Sequence, residues 1–271
     1  MYAVTSRDGT RIGCQVSGSG PPLVLVHGAT GTAAIWALVS AQLSRHFTVY
    51  AMDRRGRGAS GDGPDYTLER EIEDVAAVVS SLPGDVDLLG YSFGGVCALE
   101  AALRVKNLRR LILYEPGVPV PGRAHSRAGL IERLEQDIEA GESERASSVY
   151  ALEALGMPPE MLDRLKAQPG WADRVALFAR TVPREMRTRE VYRFDTDRFK
   201  SFGIPTLLLV GSESPEGFKA SADLVASAIR GSRLEVLQGH RHFAHNTAPE
   251  LFAAAVLGFL FDPQQAGVVS P

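Results

Sequence analysis

A serine between glycines, G-x-S-x-G, occupies residues 90–94 of this 271-residue chain. An apolar stretch, DVDLLGYS, leads into it, and a helical pattern, GGVCALEAALRV, leads out. A strand that turns sharply into a helix lifts the serine hydroxyl clear of the sheet and points the positive helix end toward it. Ser92 is therefore a candidate nucleophile, with an ordinary glycine-rich turn as the plainer reading. Such a hydroxyl needs a base. GHRHFAHNTAPE, residues 239–250, offers His240, His242 and His245. The H-x-H-x-x-H spacing also raises a metal site, but no cysteine or acidic ligand clusters beside it in the sequence. Acyl transfer further requires two N–H donors aimed at a developing oxyanion. Phe93 supplies one, and the loop closing VLVHGATG (residues 24–31) supplies the other, with Ala29 as the candidate. The His27 side chain reads as a structural loop residue rather than a base.

These residues need elements to hold them. Continuous apolar runs at 22–28, 46–53, 85–92, 108–116, 204–212 and 232–239 read as strands buried on both faces, after two early strands at YAVTS and TRIGCQVSG. Helical patterns alternate with them, and Thr67 is a possible N-cap for TLEREIEDVAAVVSSL, although Arg70 leaves a capping box incomplete. The expected fold is α/β: a mainly parallel eight-stranded sheet with helices on both faces. The alternation stops over 118–200, where four or five short amphipathic helices are expected, punctuated by Gly141, Pro158, Pro159, Pro169 and Pro183. That segment reads as a helical cap inserted into a core formed by 1–117 and 201–271. The tail QQAGVVSP is expected to fray.

HGATG, MDRRGRGAS (52–60), GYSFGG and GHRHFAHNTAPE follow one another in the order found in α/β-hydrolase-fold proteins, which the chain resembles over nearly its whole length. The resemblance makes His242 the catalytic histidine and His245 an accessory residue lining the site. It makes the stretch at 53–60 structural more than chemical. A serine at 92 in place of aspartate argues against dehalogenase or epoxide hydrolase chemistry. The family's usual acid follows the strand at 204–212, where G-x-x-D would put an aspartate at 214; the sequence has Ser214. Two glutamates compete to replace it. Glu213 is adjacent and longer by a methylene; Glu115 closes LILYEP, a place where some family members carry the acid. The plainer readings are a solvated carboxylate and a cap anchor.

The resemblance implies a serine hydrolase acting on a carboxylic ester, lactone or thioester through an acyl-enzyme. One alternative is a cofactor-free lyase or cyclase that uses the histidine as base; another is a non-catalytic ligand-binding member of the fold. Trp36, Tyr91, Phe93, Met157, Trp171, Phe178 and Tyr192 are candidate liners of a pocket between sheet edge and cap, which implies a small-molecule substrate with an apolar portion. No metal or organic cofactor is implied. A net charge of −3 favours neither nucleic acid nor an anionic membrane. No apolar run reaches bilayer length, the N-terminus lacks a signal-peptide core, and two cysteines make no disulfide framework, so a cytoplasmic protein is expected. Oligomeric state is open.

Overall fold

The computed structural model describes residues 1–123 and 128–262; the tail expected to fray lies outside the described residues. The chain divides into two compact units, one of residues 1–118 with 194–271 and one of residues 119–193.

The first unit opens with β1 (Tyr2–Thr5), β2 (Arg11–Ser17) and β3 (Pro22–Val26), followed by α1 (Ala37–Leu43), β4 (Thr48–Met52) and α2 (Leu68–Ser81). It continues with β5 (Val86–Tyr91), α3 (Phe93–Ala102) and β6 (Leu108–Tyr114). The second unit holds α4 (Leu130–Glu139), α5 (Ser143–Glu153), α6 (Pro159–Lys166) and α7 (Trp171–Val191). The first then resumes with β7 (Thr206–Gly211), α8 (Glu216–Ala228), β8 (Arg233–Leu237), a single turn α9 (Ala244–Thr247) and α10 (Pro249–Leu260).

The eight strands form one sheet in the order β1-β2-β4-β3-β5-β6-β7-β8, antiparallel at β1/β2 and β2/β4 and parallel elsewhere. β5 and β7 are buried at every position, as a strand covered on both faces must be. α3 is buried along its whole length, and its one carboxylate, Glu100, pairs with Arg198 at 2.8 Å. Thr67 caps α2, accepting from the Arg70 N–H. Because neighbouring parallel strands run the same way, the carboxyl ends of β3, β5, β6, β7 and β8 come together at one edge, where ligands of open α/β sheets bind.

Three elements differ from expectation. β8 is a sheet edge: Leu234 and Val236 are about 40% exposed, so its apolar residues face solvent on one side. α7 continues through Pro183, because Phe178, Val182 and Met186 form a buried stripe on both sides of it. One lost backbone hydrogen bond is outweighed by that packing. Residues 194–200 belong to the first unit, where the buried Phe199 packs against Phe194 and Phe202. Among the described residues no helix is long and apolar enough to cross a membrane.

Candidate active site

Ser92 sits between β5 and α3 with φ 54° and ψ −120°, outside the regions a side-chain-bearing residue favours. The strain holds because the turn is locked. A Cβ on Gly94 would lie 2.3 Å from the carbonyl oxygen of His27, so only glycine lets this turn approach the end of β3 so closely. A Cβ on Gly28 would lie 3.0 Å from the Cβ of Ser92, which places the loop after β3 directly beside this serine. Among the described residues, no protein acceptor takes the N–H of Ala29 or of Phe93.

His242 approaches from the loop after β8. Its Nε2 is 3.1 Å from Ser92 Oγ, and its Nδ1 is 2.5 Å from Glu115 Oε2. All three side chains are buried, with Ser92 the most open at 7%. The carboxylate fixes the tautomer: Nδ1–H donates to Glu115, leaving Nε2 to accept from the serine hydroxyl. Glu115, at the end of β6, has φ 45°, the second strained non-glycine position in the described chain. Its other oxygen, Oε1, accepts from Ser214 Oγ at 2.5 Å and from the Gly211 N–H at 2.7 Å. The buried carboxylate therefore has a partner on each oxygen.

Tyr114 precedes Glu115 and steadies the histidine loop from below. Its hydroxyl donates to the Arg241 carbonyl at 2.6 Å and accepts from the Ala244 N–H at 3.0 Å, gripping the chain on both sides of His242. Burial, reinforced by the Glu115 charge, pushes the phenol well above its ordinary range, so it stays a neutral donor. Phe218, on the first turn of α8, stacks on His242 at 3.9 Å and 18°.

Of the two competing glutamates, the structure brings Glu115 to His242. Glu213 contributes its backbone N–H to the His240 carbonyl, while its half-exposed side chain points to Arg241 at 3.5 Å. His242 faces Ser92 and Glu115, whereas His245 packs its ring against Tyr91 at 4.4 Å and Trp36 at 5.3 Å. Burial, with the nearby His242, pushes His245 down to about 3, so its ring is neutral. Trp36 and Tyr91 belong to the apolar core of the first unit. These three were expected to line a pocket; the structure packs their rings against one another behind the strand ends. Phe93 is also buried, with its ring under the Arg54 guanidinium. Met157 and Phe178 are buried within the helical unit, Phe178 against Tyr150 at 5.5 Å. Trp171 and Tyr192 are half-buried there, and the Lys166 ammonium lies 6.0 Å from the Trp171 ring. Sequence reasoning missed Tyr114, Ser214 and Phe218. For Tyr114 a signal existed, a hydroxyl-bearing residue closing an apolar strand; Ser214 stood out only as the residue at the usual acid position, and Phe218 gave no signal.

The sequence matches the alpha/beta hydrolase family over residues 23–255. It is 40% identical over 110 residues to an N-formylmaleamate deformylase of Pseudomonas putida, a match spanning 39% of this chain and 41% of that protein. It is 25% identical over 256 residues to a 2-(acetamidomethylene)succinate hydrolase of Mesorhizobium japonicum, covering 90% and 89% of the two chains. The crystal structure of an alpha/beta hydrolase from Sphaerobacter thermophilus superposes with a TM-score of 0.83 at 35% identity, covering 96% of this chain and all of that one.

Proposed function

Since the chain belongs to the alpha/beta hydrolase family, we propose that it is a serine hydrolase that cleaves a small carboxylic acid derivative through an acyl-enzyme. The observation that carries this reading is the continuous hydrogen-bonded run from Ser92 Oγ through His242 to Glu115. Ser92 Oγ attacks the acyl carbon while its proton passes to His242 Nε2. Glu115 holds the imidazolium that forms and keeps Nε2 facing the serine. The N–H groups of Ala29 and Phe93 take the negative charge that develops on the acyl oxygen. Collapse of the tetrahedral species expels the leaving group, which receives the proton from Nε2. Water then repeats the sequence on the acyl-enzyme and releases the acid. A histidine already hydrogen-bonded to a strained serine favours this route over one that uses the histidine alone as base.

Esters, lactones and thioesters fit this chemistry. The names of the deformylase and of the acetamidomethylene hydrolase add formyl and acetamido groups to the range worth testing. The direct test treats the folded protein with a fluorophosphonate and maps the adduct by mass spectrometry, beside a panel of aryl esters, lactones, thioesters and N-acyl amides. A single adduct on Ser92, lost in Ser92→Ala together with turnover, is expected. Turnover that persists in Ser92→Ala would rule out the acyl-enzyme.

A further inference from the structure

The stretch Asp53–Ser60 buries Arg54, Arg55 and Arg57 to 1% exposure or less. Arg54 is clamped by Glu71, Nε to Oε2 at 3.0 Å and Nη2 to Oε1 at 2.7 Å, and the Tyr66 hydroxyl donates to the same Oε1 at 2.8 Å. Its Nη1 donates to the carbonyl of Gly28 at 3.2 Å. His27 Nδ1 lies 2.7 Å from that same oxygen, and His27 Nε2 accepts from the Arg54 backbone N–H at 3.2 Å, so the ring proton sits on Nδ1. Burial, then the charges of Arg54 and Arg57, hold the His27 pKa well below its ordinary value, so the ring is neutral. Arg57 Nη2 donates to the next carbonyl, that of Ala29, at 2.7 Å. The Arg54 guanidinium also lies 4.6 Å from the centroid of the Phe93 ring.

The Gly28 carbonyl and the Ala29 N–H belong to one peptide unit, planar and trans, so they point in opposite directions. Whatever fixes the carbonyl aims the N–H. A cationic donor on the carbonyl also polarises the peptide and strengthens the N–H as a donor. Packing alone does not call for a charge here, since a buried ion pair can often be replaced by apolar side chains of similar volume without loss of stability. We infer that Arg54 is a positioning residue for the oxyanion hole: with His27 as second donor, its guanidinium aligns and polarises the Gly28–Ala29 peptide so that the Ala29 N–H faces the acyl oxygen. This rests on the acyl-transfer reading above. Arg57 holds the following peptide in the same way, so the loop after β3 is fixed by two guanidinium groups that never reach the substrate.

The test compares wild type with Arg54→Lys and with the pair Arg54→Met/Glu71→Gln, which leaves no lone buried carboxylate. Folding is checked by circular dichroism. For the pair, kcat should fall by about 10- to 100-fold with KM within about twofold, less than the roughly 100- to 1,000-fold loss of a whole oxyanion donor. Fluorophosphonate labelling should slow by the same factor. The phosphorus resonance of the Ser92 adduct, whose phosphoryl oxygen occupies the hole, should move toward that of the denatured adduct. Arg54→Lys should move all three in the same direction by less, and it decides the matter if the pair does not fold. A merely structural residue would lower stability and leave the resonance and KM-to-kcat balance unmoved. Folded variants that label at the wild-type rate with an unshifted resonance overturn the inference while the acyl reading stands. Absence of a Ser92 adduct in the wild type sinks both.

Discussion

The Glu115 carboxylate has every oxygen assigned: Oε2 to His242, Oε1 to Ser214 and the Gly211 N–H. Ser214 occupies the place where the family pattern wants an aspartate, and its hydroxyl donates to Glu115. Ser214→Ala removes one of two donors to Oε1. A hydrogen bond to a charged group is worth about 1.5–3 kcal/mol, so we expect kcat/KM to drop about tenfold or more with the fold intact. Steady-state kinetics beside a urea titration checks this, and unchanged kcat/KM would show that Gly211 alone suffices. The sequence left Glu115 and Glu213 open because the decision is a contact between residues 127 positions apart. Reach along the chain favoured neither; strand order decides it, by placing β6 next to β7 and the histidine loop beyond them.

β6 supplies both Glu115 and Tyr114, so one strand end sets the position and the tautomer of His242. Tyr114→Phe removes two hydrogen bonds to the histidine loop, although the Ala244 N–H still donates to the Arg241 carbonyl at 3.1 Å. A lost hydrogen bond costs about 0.5–1.5 kcal/mol net, so we expect a loss of about 1–3 kcal/mol in urea unfolding. A lower kcat is expected at the same time, because the histidine loop is no longer gripped on both sides. An unchanged kcat in Tyr114→Phe would show that Phe218 and the loop backbone hold His242 without it. At this scale the buried strands were readable, since a strand covered on both faces must be apolar throughout. The departures came where tertiary packing overrode a local signal. Pro183 reads as a stop but lies inside a stripe buried on both sides, and α8 begins at Glu216, soon after β7 ends. That early start is what puts Phe218 on His242.

For the whole molecule, stability at acid pH follows from two histidines buried in neutral form. His245 has its pKa pushed from an ordinary 6.5 down to about 3, and His27 is also well below its ordinary value. Below pH 6.5 the unfolded chain takes up protons that the folded protein refuses, so stability falls as pH drops, by about 1.4 kcal/mol per pH unit for each such proton. Asp74, raised by burial to about 6 against the pull of Arg55, acts in the opposite sense between its ordinary 3.8 and 6. We expect urea midpoints to decline from pH 7 to pH 4, and His245→Phe to flatten that decline by one proton's share. An equal slope in the variant would mean that His245 titrates normally in the folded protein. The α/β architecture was legible from alternation alone, while the role of the 53–60 stretch was not, since its buried arginines look like any charged loop until the carbonyls they hold after β3 are seen. The central claim is that Ser92, His242 and Glu115 act as one unit, and it is tested most directly by the rate of fluorophosphonate labelling of Ser92, read by intact mass, in wild type, Glu115→Gln and Glu213→Gln. We expect Glu115→Gln to label about 10³- to 10⁴-fold more slowly, the scale of losing such an acid, and Glu213→Gln to label within about threefold of wild type. Equal rates in wild type and Glu115→Gln, or a collapse confined to Glu213→Gln, would contradict it.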